Sequence, residues 1–241
     1  MVSELTRKTL DRLVDELRAS EGDNLASIVL YGSTATMESH SRADLNVLVV
    51  LRSARLEDLK RCTGALRGWR NSGQPPPVIF TMEELERAAD VFPIEFLEME
   101  RARSILFGAD PFEGLEISAA NLRHQTEYEL RTRFQQLRRL YLARAPGGKE
   151  LTNLMIDSFA SFAALFRAVL ILNGHEPPAS KSETVRAVER LLEIDPTPFD
   201  WILQERDSAP APERVEAMFA AYLKEIARVI DAVDHLTQTR Q

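Results

Sequence analysis

Two short apolar runs, residues 25–31 (LASIVLY) and 45–51 (LNVLVVL), constrain this chain more than any other feature. Each has the length of a strand, and the second is rich in valine, whose branched side chain suits a pleated, half-buried surface. The first run ends at Gly32-Ser33, a turn signal, so the chain leaves one strand and enters another after a short loop or helix. Ahead of them, residues 3–20 carry Leu5, Leu10, Leu13 and Leu17 on one stripe of an amphipathic helix. Beyond them, residues 56–70 read as a helix, Gly73-Gln74-Pro75-Pro76-Pro77 breaks the chain, and residues 78–81 read as a third strand. Pro93 suits the first turn of a further helix, which a brief strand at 104–107 follows. The first half is therefore mixed α/β.

Residues 108–114 (GADPFEG) collect turn formers and mark the expected domain boundary, giving domains 1–113 and 114–241. Past this point strand signals disappear. Three long amphipathic helices are predicted at 118–143, 150–172 and 213–236, with shorter helical pieces between them. In the last, Val215, Phe219, Tyr222, Ile226, Val229 and Val233 recur at alternating spacings of four and three, as a buried seam demands. Ser180 to Glu183 has the form of a capping box opening a shorter helix. Phe159, Phe162, Phe166 and Val169 form a broad apolar face, suited to a core or a dimer interface. The second half is thus an all-α helical bundle, through which a homodimer or a protein partner could dock.

An apolar fraction of 44% and a charged fraction of 28% exclude disordered and low-complexity classes. The net charge of −7, from 30 basic and 37 acidic side chains, argues against duplex nucleic acid as partner. No uninterrupted apolar run reaches the ~18 residues of a membrane span, and the charged, amphipathic start has no signal-type stretch, so the expectation is a cytoplasmic protein. The single cysteine, Cys62, cannot form an internal disulfide or a cysteine-based metal site. The four histidines show no metal-ligand spacing. One basic stretch departs from the acidic balance: Arg52, Arg55, Lys60, Arg61, Arg67 and Arg70 form either a solvated helix face or a site for a phosphate-bearing ligand.

Chemistry concentrates in residues 28–51, IVLYGSTATMESHSRADLNVLVVL. Glycine lets the backbone approach a ligand closely, and the amides after Gly32, with the Ser33 hydroxyl, can donate to phosphate oxygens. Side chains alternate across a strand, so Asp44 and Asn46 share one face while Leu45, Val47 and Val49 point into the other layer. Read alone, Gly32-Ser33 is either a strand-ending turn or a phosphate turn. Asp44 is either a turn residue or a metal and phosphate ligand. Asn46 is a structural amide, a nucleotide contact or a metal ligand.

This stretch resembles the nucleotidyltransferase superfamily that includes DNA polymerase beta, the aminoglycoside nucleotidyltransferases and the minimal nucleotidyltransferases. Its signature is Gly-Ser, about ten residues, then Asp-x-Asp. Gly32 and Ser33 match the turn, Asp44 matches the first carboxylate, and Asn46 stands where the second carboxylate belongs. The resemblance implies an N-terminal nucleotidyltransferase-like domain with a small mixed sheet, a nucleoside triphosphate or related phosphate compound as ligand, and Mg²⁺ held in part by Asp44. In such enzymes two ions clamp the attacking oxygen and the departing pyrophosphate, with three carboxylates holding them. Asn46 keeps the shape of the second ligand but removes its charge, and no third acid is evident, with Glu95 and Glu98 as the candidates. The leading expectation is a nucleotide-binding protein with transfer lost or strongly weakened. An active Mg²⁺-dependent enzyme moving a nucleoside monophosphate to a hydroxyl of a small molecule, RNA or protein is the alternative, and a non-catalytic docking or regulatory module is a third reading.

Overall fold

The computed structural model describes residues 4–32, 34–35, 44–144, 147–178, 180–204 and 212–236. The chain divides into two compact units, Met1–Ser118 and Ala119–Gln241.

In the first unit, α1 (Glu4–Glu21) leads through a 3-10 turn (Gly22–Asn24) into β1 (Leu25–Tyr31), and β2 (Asn46–Leu51) returns antiparallel to it. Two short helices follow, α2 (Leu56–Ala65) and α3 (Arg67–Asn71), then β3 (Val78–Thr81), α4 (Met82–Ala88), α5 (Pro93–Arg101) and β4 (Arg103–Gly108). The strands form one four-stranded sheet in the order β3-β2-β1-β4, with β3 parallel to β2 and β4 antiparallel to β1. The two central strands are buried on both faces, which is why they read as nearly continuous apolar runs rather than as alternating ones.

Strand alternation sorts the core into two layers. Ile28, Leu30, Val47, Val49 and Leu51 pack with Leu10, Leu13 and Leu17 of α1, Cys62 and Trp69. Val29, Leu48 and Val50 pack with Leu85, Ala89, Phe96, Met99 and Phe112. The expected helix 56–70 is two helices, because the backbone at Leu66 leaves helical geometry (ψ 7°). That break turns Trp69 into the core, where its indole N–H donates to the carbonyl of Pro75 at 2.7 Å. Three members of the basic stretch around it have partners within the protein. Arg61 pairs with Glu21 and Asp58, Arg52 donates to the Asp23 carbonyl, and Arg70 donates to the Thr63 carbonyl.

The second unit consists of α6 (Ala119–Arg144), α7 (Gly148–Leu172), α8 (Lys181–Leu192), α9 (Thr197–Gln204) and α10 (Pro212–His235). α7 is long and apolar enough to cross a membrane, a property that the run-length reading of the sequence did not register. Its apolarity has a packing cause: α7 is the central helix, with α6, α8, α9 and α10 all against it. Phe159, Phe162, Phe166 and Val169 all lie in this core, as does the α10 seam from Val215 to Val233. Ser180 caps α8 by accepting from the Glu183 amide.

Candidate functional site

Gly32 leaves β1 with φ +81°, a conformation in which a side chain is strained, and its carbonyl accepts from the Ala35 amide at 2.9 Å to close a tight turn. The Gly32 N–H donates to the carbonyl of Ala102 at 2.8 Å, tying the turn to the junction of α5 and β4. Two of the turn's amides are therefore committed within the protein. Ser33 and the loop residues 36–43 lie outside the described residues.

Antiparallel pairing sets Tyr31 opposite Asn46, so the end of β1 and the start of β2 share one edge of the sheet. A β carbon built on Gly32 would lie 3.5 Å from the Asn46 side-chain nitrogen. Asn46 has the parity of Leu48 and Val50, while Leu45, Val47 and Val49 lie in the opposite layer as alternation requires. Asp44, one residue ahead of the buried Leu45, is exposed. Its carbonyl accepts from the hydroxyl of Thr34 at 3.2 Å. Gly32, Thr34, Asp44 and Asn46 thus lie along the same edge of the first unit.

Among the described residues, Asp44 brings a carboxylate to this edge and Asn46 a neutral amide. Tyr31 is half-buried, and that burial pushes its phenol above the ordinary range. Arg103, opposite Tyr31 on β4, is held by Asp110 at 2.7 and 2.9 Å and lies against the Phe112 ring. Glu98 precedes Ala102 by one turn of α5 and is half-buried; Glu95 is exposed; both take part in interactions within the protein. Among the described residues, no group of three or more His, Cys, Asp or Glu side chains is placed to hold a metal ion. Mg²⁺ is commonly held by one or two carboxylates together with substrate phosphates.

Two polar partners at this edge had no signal in the sequence patterns. Thr34 is buried and acts through its hydroxyl on a residue ten positions away. Gln74 accepts from the Leu45 amide at 2.8 Å, across twenty-nine positions. Gln74 sits in the segment read only as a chain breaker. In the second unit, by contrast, an apolar groove of about 430 Å³ is lined by residues that include Tyr141, Leu142, Phe219 and Leu223.

No protein-family model matches the chain, and no curated protein matches it. Among solved structures it is similar to the spectinomycin adenyltransferase AAD(9) from Enterococcus faecialis, determined with ATP and spectinomycin. The TM-score is 0.50 at 14% sequence identity, over 97% of this chain and 99% of that one. At that identity the likeness speaks to fold alone.

Proposed function

We propose that the first unit binds a nucleoside triphosphate or a related phosphate ligand at the edge formed by Gly32, Asp44 and Asn46, and that nucleotidyl transfer there is lost or strongly weakened. The observation that carries this reading is the placement of Asn46: its side-chain nitrogen stands beside Gly32, where the resembling enzymes have a second carboxylate. The Gly32 and Ala35 amides are held internally; the Ser33 hydroxyl is the donor that the family resemblance assigns to phosphate oxygens. A Mg²⁺ ion arriving with the triphosphate would be held by Asp44 and would neutralise phosphate charge. Asn46 contributes a neutral amide, which can donate to a phosphate oxygen but offers no charge to a second ion. The similarity to an adenyltransferase solved with ATP supports the choice of ligand.

Titration calorimetry with ATP and GTP, each with and without Mg²⁺, tests the reading. Saturable binding is expected, and it should weaken in Asp44→Ala when Mg²⁺ is present. No heat at millimolar nucleotide in either condition would remove this edge from consideration.

The active-enzyme reading keeps one observation in its favour: the Gly32 N–H bond to Ala102 ties the turn to the end of α5, the helix that carries Glu98. Under that reading Glu98 supplies a carboxylate, and Glu98→Gln abolishes pyrophosphate release from labelled nucleotides while leaving ATP binding in place.

A further inference from the structure

The Asp44 carbonyl and the Leu45 N–H belong to a single peptide group, and both of its polar ends are held by side chains from elsewhere in the unit. The Thr34 hydroxyl donates to the carbonyl at 3.2 Å, and Gln74 accepts from the N–H at 2.8 Å. We infer that Thr34 and Gln74 are positioning residues for Asp44, a paired clamp that sets the direction in which this acid leaves the sheet edge.

A trans peptide is planar, so fixing its C=O and N–H together fixes its rotation, and with it ψ of Asp44 and φ of Leu45. Leu45 is buried in the α1 layer, which holds the third corner. Asp44 itself is exposed, so no packing around its side chain substitutes for this restraint.

The clamp is supported in turn. β3 begins at Val78, opposite Leu48, so no β3 backbone pairs with the Leu45 amide. Gln74 fills that place with a side chain. It follows Gly73, which has φ +78°, and precedes three prolines whose rings fix φ. The buried Trp69 anchors this segment through its indole N–H on the Pro75 carbonyl, and the Ser72 hydroxyl donates to the Trp69 carbonyl at 2.6 Å. The break between α2 and α3 that turns Trp69 inward therefore also delivers Gln74 to the Leu45 amide.

The inference rests on the nucleotide reading for its consequence, and the experiment separates the two. Without nucleotide, amide exchange by NMR in Gln74→Leu should speed at Leu45 by about tenfold, the scale of one lost hydrogen bond, while Val47 to Val50 stay protected. Gln74→Glu, which keeps an acceptor oxygen, should restore protection. With nucleotide, Thr34→Val, of nearly the same shape, should weaken ATP binding by about tenfold, and Thr34→Ser, which keeps the hydroxyl, should stay within about twofold of the parent. Unchanged Leu45 protection in Gln74→Leu, or equal ATP affinity in Thr34→Val and Thr34→Ser, overturns the inference. If the parent takes up no ATP, the nucleotide reading falls, and Leu45 exchange alone decides whether the clamp exists.

Discussion

The side-chain nitrogen of Asn46 faces Gly32 closely enough that a β carbon on the glycine would stand 3.5 Å from it. That is ordinary van der Waals contact, so the amide and the turn fit together without crowding. An aspartate would occupy the same volume and carry a charge that the amide lacks. Asn46→Asp is therefore expected to sharpen the Mg²⁺ dependence of ATP binding. If charge at this position limits transfer, it should also raise pyrophosphate release by tenfold for each ~1.4 kcal/mol gained only in the transition state. Equal release from parent and variant, with ATP bound in both, would reject charge at position 46 as the limit.

Two positive-φ glycines in the first unit should respond differently to alanine. At Gly32 the added carbon has room, so Gly32→Ala should cost about 1–2 kcal/mol of backbone strain. At Gly108, opposite Ser27 in β1, the carbon would be driven into the Ala26 carbonyl oxygen in addition to the strain of φ +76°. Gly108→Ala should cost about 3 kcal/mol or more, since backbone rather than a flexible side chain must move. Chemical denaturation of the two variants checks the order; a larger loss at Gly32 would contradict it.

Periodicity carried most of the fold because the core is built on it. The bounds of β1 and β3 match the apolar runs, and the α10 seam is buried along its whole length. The break at Leu66 was not legible, since nothing in residues 56–70 interrupts the helical pattern strongly enough; tertiary packing of Trp69 decides it. The candidate edge was legible in part for the same reason. Gly32 follows the end of β1 and Asn46 opens β2, so the strand bounds place both. Thr34 and Gln74 reach their partners across ten and twenty-nine positions, and no local pattern says which polar side chain reaches which peptide.

Acid stability should depend on Asp58. The Arg55 amide, the Ser53 hydroxyl and the Arg61 guanidinium hold its carboxyl below the usual range, with the Arg55 bond the strongest cause. A carboxylate depressed in the folded state stabilises at pH above its unfolded value, and that contribution is lost as pH falls through the folded one. Asp58→Asn should therefore flatten the acid limb of a melting-temperature profile. An unchanged limb would show that the acid transition lies elsewhere.

Cys62 should behave as an inert thiol. Burial, then the carboxylate of Glu21 beside it, pushes its pKa up to about 12. The folded state thus favours the protonated form, a contribution present below the ordinary thiol range and lost as pH rises toward that value. At mildly alkaline pH a thiol reagent should label native protein far more slowly than denatured protein. Comparable rates would contradict the burial of this residue.

In the second unit the indole nitrogen of Trp201 is buried and has no hydrogen-bond partner among the described residues. Removing an unsatisfied buried donor costs little or stabilises. Trp201→Phe should change stability by less than about 1.5 kcal/mol, against about 3–5 for Trp201→Ala, which also leaves a cavity. A loss in Trp201→Phe well above this bound would contradict an unsatisfied indole N–H.

The most direct measurement is amide shift mapping during ATP titration of the full chain with Mg²⁺ present. Saturable changes centred on Gly32, Thr34, Asp44, Leu45 and Asn46 are expected, reduced in Asp44→Ala. Changes confined to the groove around Tyr141 and Phe219, or no changes at millimolar ATP, would contradict it.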